Sequence, residues 1–416
     1  MPNHVSSLPP ESARSAGQGP VILLVAEAVT LAHFARIATL AEALHPGPWR
    51  VQVAADPRYA ALAPALADRL LPLRSISGAA FTDALTRGRP LYDEATLAAY
   101  VEDDLELLDR VRPDLVVGDF RLSLAVSAPL RGIPYAALVN AYWSPYAELR
   151  YPVPDLPVTR LLGAGIGQVL FDLARPLAFA LHARPLNRLR RRFGLPALGA
   201  DLRHVYTWGD QTWYADLPEL IPTRPLPPHH RHIGPVLWSA RAPLPPWWRE
   251  LPEDRPIVCV TLGSSGRADM LPAILDTLAR LPVTVVAATL GQQVATPLPD
   301  NVFLADYLPL AETLARSRLL VCNGGSLSTY QAMAAGIACI GLGSNLDQML
   351  NMAAVRRLGC GLGLRAANLS AAALRAAVLS VLDDPAPAEA ARRMGRILQG
   401  YDSPGRFRAA VADMLR

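Results

Sequence analysis

Lysine is missing altogether: the 40 basic residues are all arginine, set against 36 acidic residues. A formal charge of +4 over 416 residues is too small to mark a nucleic-acid surface or an anionic membrane as the partner. Recognition of phosphate or carboxylate must therefore come from arginine forks, hydroxyls and backbone amides. Cysteine is scarce. Cys259, Cys322, Cys339 and Cys360 all lie in the C-terminal half, three of them inside apolar runs and none at metal-ligand spacing. Such cysteines read as buried reduced thiols of a cytoplasmic protein, and no metal site is expected. An export signal is missing too: residues 1–19 are polar and rich in Pro, Ser and Gly, without an apolar core, and read as a disordered leader. The most apolar helical stretch, 164–183, is interrupted by Asp172 and Arg175 and followed by arginine-rich sequence, which argues against a transmembrane segment.

What is present is alternation. The length suits two domains. The N-terminal half runs PVILLVAEAV (20–29), a helix over 33–45, WRVQVAAD (49–56), a helix over 93–111, DLVVGDF (114–120) and PYAALVN (134–140). Short apolar runs separated by helical stretches predict βαβ units and a parallel sheet. Residues 142–160 are rich in Tyr, Trp and Pro without period and read as a long functional loop, followed by a helix over about 164–194 and strands at 212–218 and 232–238. Residues 239–255, dense in Pro and Trp, read as a linker between an N-terminal domain (20–238) and a C-terminal one (256–400). The second half restarts the pattern with strands at 256–263, 282–291, 301–307, 318–325 and 338–343. Its helices fall at 267–280, 310–317, 327–335 and 347–358, with a further one capped by Ser370. Residues 401–416 are a last helix able to cross back to the N-terminal domain.

Two junctions carry chemistry. In VTLGSSG (260–266), Gly263 and Gly266 allow backbone forms closed to other residues, and Ser264 and Ser265 add hydroxyls near a helix N-terminus. In the segment 321–352, Gly324, Gly325, Ser326 and Ser328 put amides and hydroxyls at one helix start, with Asp347 and Gln348 at the next. Two helix N-termini then face one cleft at the carboxyl ends of parallel strands, where open α/β sheets bind ligands.

That segment resembles the nucleotide-diphospho-sugar motif of the UDP/TDP-sugar glycosyltransferases with a GT-B fold, bacterial macrolide and natural-product enzymes among them. The usual form is HGGxGTxxEAxxxGxPxxxxPxxxDQxxNA. Gly324, Gly325, Ser328, Ala332, Gly336, Asp347, Gln348 and Asn351 fall in register; Asn323 stands for the His, Leu327 for Gly, Gln331 for Glu, and Ala338 and Gly343 for the two prolines. The resemblance implies two Rossmann-like parallel-sheet domains facing each other across a cleft. The Gly-Gly and Ser positions would meet a donor diphosphate, with Asn323 facing it too, and Asp347 and Gln348 would meet the sugar. DYLPLAETLARSRLLVCNGG (306–325) resembles the family's WxPQxxLLxxxxxxVxHGG, placing Tyr307 where an aromatic stacks on the nucleobase and Leu308 at the base edge.

In the N-terminal half, LAHFARIATLAEAL (31–44) resembles GHxxPxxxLAxxL, with His33 as catalytic base, and RPDLVVGDF (112–120) resembles PDxxVxD, with Asp119 as its orienting acid. An imidazole accepts a hydroxyl proton near neutral pH, and a carboxylate on its other nitrogen fixes the tautomer. The expectation is an inverting, metal-independent sugar transfer from a UDP- or TDP-linked donor, without a cofactor. The small-molecule acceptor, flat or apolar, would meet Tyr142, Trp143, Tyr146 and Tyr151. A homodimer is left open. A non-catalytic nucleotide-sugar-binding or activator protein and a sugar-nucleotide epimerase are the rival readings. The bland reading is kept for three clusters: His229, His230 and His232 as an exposed loop, Glu102 to Glu106 as a solvated helix face, and Arg188 to Arg192 as a helix end complementing its dipole.

Overall fold

The computed structural model describes residues 19–155, 157–239, 242–294 and 297–416, so the expected leader, Gly19 apart, lies outside the described residues. In the N-terminal half, β1 (Val21–Ala26), β2 (Arg50–Ala55), β3 (Leu70–Pro72), β4 (Leu115–Asp119), β5 (Tyr135–Val139), β6 (Gln211–Tyr214) and β7 (His230–His232) form one sheet in the order β3-β2-β1-β4-β5-β6-β7. All of its pairings are parallel. Parallel strands are covered on both faces, which is why VILLVA of β1 is buried at all six positions. The covering helices are α1 (Leu31–Ala43), α2 (Gly78–Arg87), α3 (Glu94–Val111), α4 (Leu124–Arg131), α5 (Pro157–Arg192, kinked at Gly163) and α6 (Leu202–Tyr206).

The second sheet contains β8 (Ile257–Thr261), β9 (Thr284–Ala288), β10 (Val302–Ala305), β11 (Ser317–Cys322), β12 (Ala338–Gly343) and β13 (Gly361–Arg365), in the order β10-β9-β8-β11-β12-β13. With it go α7 (Leu271–Ala279), α8 (Leu310–Arg316), α9 (Ser326–Ala334), α10 (Leu346–Arg357), α11 (Ala371–Asp383, capped by Ser370) and α12 (Ala386–Gln399). A last helix, α13 (Ser403–Met414), packs on the N-terminal sheet: Phe407 meets Trp213 at 5.6 Å, and Arg408 donates to the Ala43 carbonyl at 3.0 Å. In each sheet the strand order reverses once, between β1 and β4 and between β8 and β11, and the two reversals place a crevice at the carboxyl ends of those strands.

Several expectations change. The strand expected at 232–238 is instead His230–His232, so two of the three histidines sit half-buried on a sheet edge, with His230 Nδ1 2.6 Å from the Tyr214 hydroxyl. The segment expected as linker is not free of the second domain, because Trp248 is buried beside Ile257, Val286 and Leu308. Arg190, expected at a helix end complementing its dipole, is 2% exposed. It lies over the Trp208 ring and donates to the Pro196 and Ala125 carbonyls.

Asp104 also leaves its expected place. It is 1% exposed and accepts from Arg121 Nε at 3.0 Å, while Arg121 Nη1 reaches Glu27 at 3.0 Å and the guanidinium lies 3.7 Å over the Tyr100 ring. Burial raises the carboxyls of both Glu27 and Asp104 despite the attraction of Arg121. Replacing Arg121 by Met would leave two acids buried without a counter-charge, and is expected to cost about 3–5 kcal/mol at neutral pH, measured by urea denaturation. A carboxyl whose folded pKa is raised contributes stability that is fully present below its unfolded pKa and lost as pH rises through the folded value. The deficit of Arg121→Met is therefore expected to shrink on acidification; a deficit that grew in acid would contradict the assignment.

Candidate functional site

The two crevices face each other and form one cleft of about 330 Å³. On the N-terminal wall, register pairs Ala26 with Asp119, so the loop leaving β1 and the last residue of β4 lie side by side. His33, in the first turn of α1, brings Nδ1 to 2.7 Å from Asp119 Oδ1. Its ring stacks on Phe120 with centroids 5.1 Å apart and planes within 5°. Phe120 holds φ at +60°, a conformation rare for a residue with a side chain, and that turn carries its ring under the imidazole.

Arg36, one turn beyond His33, is a site residue that the sequence reading missed. Its Nε donates to Asp119 Oδ2 and its Nη2 to Oδ1, both at 2.8 Å, and Nη1 donates to Asn140 at 2.7 Å. Burial would raise the Asp119 carboxyl, but the charges of Arg36 and His33 outweigh it and hold the group below its ordinary value. Asp119 is thus an anion flanked by two donors. Arg36 Nη2 lies 3.0 Å from His33 Nδ1, but the shorter, charge-assisted contact of Nδ1 to the Asp119 carboxylate at 2.7 Å favours Nδ1 as proton donor, which leaves Nε2 free to accept. The i, i+3 spacing of His33 and Arg36, both on one helix face, was the available signal.

On the C-terminal wall, register pairs Thr261 with Cys322, bringing the loops after β8 and β11 together. Gly263 and Gly324 hold φ at +61° and +81°, and a Cβ on Gly324 would come within 2.7 Å of Met352. The amino end of α9 has no side-chain cap, and Ser326, Leu327 and Ser328 of its first turn line the cleft. Unpaired first-turn amides and the helix dipole make such an end receptive to an anion. Asn323 is engaged within the protein: its amide donates to Ser265 Oγ at 3.2 Å and its carbonyl oxygen accepts from the Gly325 amide at 3.1 Å. Gln348 holds the same loop, donating to the Ser265 carbonyl at 3.1 Å. Tyr307, 40% exposed, and Leu308 line one end of the cleft beside Leu290.

Hydrogen bonds join the two walls. Ser264 Oγ accepts from the Leu31 amide at 2.8 Å, and the Trp143 indole donates to Asp347 at 2.9 Å. Of the four aromatics expected to meet an acceptor, Trp143 alone lines the cleft. Tyr142 is fully buried; Tyr151, 2% exposed, donates to the Tyr142 carbonyl; and Tyr146 packs edge-on against His230. Rings of that size are drawn into the core where the loop folds back on it. The apolar wall comes instead from Phe81, Leu91, Phe120, Phe171, Phe179 and Tyr206. Among the described residues, no three His, Cys, Asp or Glu side chains are grouped to hold a metal ion.

A family model described as Erythromycin biosynthesis protein CIII-like, C-terminal domain, matches residues 272–404. A PGL/p-HBAD biosynthesis rhamnosyltransferase of Mycobacterium bovis (strain BCG / Pasteur 1173P2) is 50% identical over 412 residues, covering 99% of this chain and 91% of the relative. The chain belongs to this glycosyltransferase family. A PGL/p-HBAD biosynthesis glycosyltransferase of Mycobacterium tuberculosis (strain ATCC 25177 / H37Ra) is 49% identical over 373 residues, 90% of this chain and 87% of that one. The solved structure of spinosyn rhamnosyltransferase SpnG complexed with thymidine diphosphate superposes with a TM-score of 0.68 at 20% identity, over 94% of this chain and 100% of that chain. The fold is therefore GT-B, and the protein is a glycosyltransferase of the natural-product type. Of the three readings the sequence left open, these relatives carry the transferase.

Within this glycosyltransferase, Arg36 forks onto Asp119 and lies 3.0 Å from His33 Nδ1. Arg36→Gln is expected to lower kcat by up to about 100-fold through misplacement of the pair, with the donor KM unchanged. Arg36→Lys restores the charge without the fork and should recover only part of the loss. Steady-state kinetics of the three proteins decide it: an unchanged kcat in Arg36→Gln would show that the pair needs no such anchor.

Proposed function

We propose that this glycosyltransferase moves a sugar from a UDP- or TDP-linked donor to a hydroxyl of a small, largely apolar acceptor, by one inverting displacement and without a metal ion. The observation that carries the reading is the pairing of opposite functions across one cleft: His33 and Asp119, 2.7 Å apart, on one wall, and the uncapped amino end of α9 on the other. His33 Nε2 would take the acceptor proton as the oxygen bonds to the anomeric carbon. The bond from that carbon to the diphosphate breaks, and the departing charge meets the first-turn amides of α9 with the hydroxyls of Ser326 and Ser328. Tyr307 and Leu308 suit the base of the donor, and Asp347 and Gln348 its sugar. The name of the 50%-identical relative makes a rhamnosyl donor the first to test, and the thymidine diphosphate in SpnG makes TDP the first nucleotide. Four buried thiols, with Cys322 pushed up to about 12 and Cys360 to about 11 by burial, suit a reducing cytoplasm.

His33→Ala is expected to lower kcat by about 10²–10⁴ while TDP affinity, measured by calorimetry, stays unchanged, because the base acts from the opposite wall. The product anomer, read by NMR, should be opposite to that of the donor; retention would rule out a single displacement. Full turnover by His33→Ala would move the base elsewhere.

Excess EDTA is expected to leave the rate unchanged, because helix-end amides carry the diphosphate charge in this reading. Loss of turnover in EDTA, restored by magnesium or manganese, would contradict metal independence.

A further inference from the structure

Helix α5 presents an apolar stripe that the transfer reading does not use. Ile166, Val169, Leu170, Leu173, Leu177 and Leu181 are all exposed, Leu173 by 77% and Leu177 by 66%. At helical spacing these six fall within an arc of roughly 120°. Towards the C-terminal end the same arc continues as Arg184, Arg188 and Arg191, all exposed, and no Asp or Glu of α5 falls on it. Asp93 and Glu94 border a shallow pocket beside Arg184 and Arg188 without forming ion pairs with them. The opposite side of the helix belongs to the protein: Ala183, Leu186 and Leu189 are buried, and Phe171, Ala178 and His182 line the cleft.

Residues Gly163–Arg192 are long and apolar enough to cross a membrane by length and composition. A helix fixed to the protein along one side cannot be surrounded by lipid, however. Gln168 makes the point, since it bonds to the Val153 amide and the Tyr151 carbonyl. A helix with an exposed leucine arc, an arginine extension of that arc and one side held by protein has the form that lies in a membrane interface. A second copy of the chain could also cover leucines. An antiparallel pairing would press arginines onto leucines, a parallel one would press them onto each other, and the arc offers no carboxylate to either. Anionic headgroups supply the missing charge.

We propose that the outer face of α5 docks this glycosyltransferase on an anionic phospholipid bilayer, with the leucine arc at the acyl boundary and Arg184, Arg188 and Arg191 at the phosphates. The small net charge gives no sign of this, because the basic groups are concentrated on one arc.

Flotation of the full chain with phosphatidylcholine vesicles, with and without phosphatidylglycerol, tests the proposal in the absence of donor and acceptor, so its failure leaves the transfer reading untouched. Binding is expected to the mixed vesicles, weaker binding to phosphatidylcholine alone, and loss with added salt. The double variant Leu173→Ser, Leu177→Ser should bind about tenfold more weakly to both. The triple variant Arg184→Gln, Arg188→Gln, Arg191→Gln should lose about tenfold or more on the anionic vesicles alone. Circular-dichroism melting curves matching the parent would confirm that both variants fold. No binding by the parent, or parent-like binding by both variants, would overturn the proposal. So would a parental dimer in sedimentation that the leucine variant dissociates while vesicles bind neither, because the face would then join two copies.

Discussion

A buried anion organises this molecule. Asp119 closes β4 with no exposure to solvent, and an ionised carboxylate in that position is tolerable only with charged donors on its oxygens. Arg36 supplies them in a fork, from a helix that enters from the neighbouring strand. The position of α1 against β4 is thereby set by a directional charge pair as well as by apolar packing, and His33 inherits that position because it shares the helix. Asn140, which accepts from Arg36, donates to Asp216 at 3.1 Å, and Asp216 accepts from Tyr330 of the second domain at 3.0 Å. A buried polar chain thus runs from Asp119 through Arg36, Asn140 and Asp216 to Tyr330 on α9 of the second domain. Burial pushes the Asp216 carboxyl up to about 6, offset in part by these hydrogen bonds.

Much of this was legible because strands and glycines are punctuated strongly in α/β sequences. The runs that became β1, β4, β8 and β11 are rich in Val, Leu and Ile, and the last three lead into Asp119, Gly263-Ser264 and Asn323-Gly324, so the two crevices could be placed before their geometry was known. Elements with weaker signals were lost. β3 is three residues ending in proline, and β13 alternates leucine with glycine. Asp104 was misread for a different reason. Four acids between 102 and 106 suggest a solvated face, yet Leu97, Tyr100, Val101, Leu107 and Leu108 are the buried side of α3, and position 104 falls between them at helical spacing. Periodicity pointed inward where local composition pointed out.

The aromatic loop shows where sequence reading ends. A segment without period has no face, so nothing in the residues from Tyr142 to Tyr151 says which rings turn inward. Packing decides it. Trp143 is left at the cleft because its N–H finds Asp347, whereas Tyr151 is enclosed with its hydroxyl on the Tyr142 carbonyl. The apolar wall of the cleft is then assembled from Phe81 of α2, Phe120 after β4, and Phe171 and Phe179 of α5, aromatics scattered along the sequence whose convergence only the fold reveals. α5 contributes two of them, so one helix is both a wall of the cleft and the carrier of the exposed leucine arc.

The contacts across the cleft link chemistry to closure. Thr30, at the N-cap position of α1, makes no side-chain hydrogen bond to the helix, and the Leu31 amide is satisfied instead by Ser264 from the other domain. Ser264 can reach it because Gly263 before it adopts a positive φ. The first turn of α1, which holds His33, is therefore capped by the loop after β8, on the opposite wall of the cleft. Asp155 and Arg365, paired at 2.8 Å, and Trp143 with Asp347 hold the same arrangement at other points along the cleft. Parting the domains would hand the Leu31 amide to water and release the Asp347 carboxylate from its indole partner. The helix end that carries His33 has its Leu31 amide satisfied by Ser264 only when the two walls meet, so parting them would loosen the turn that holds His33 against Asp119.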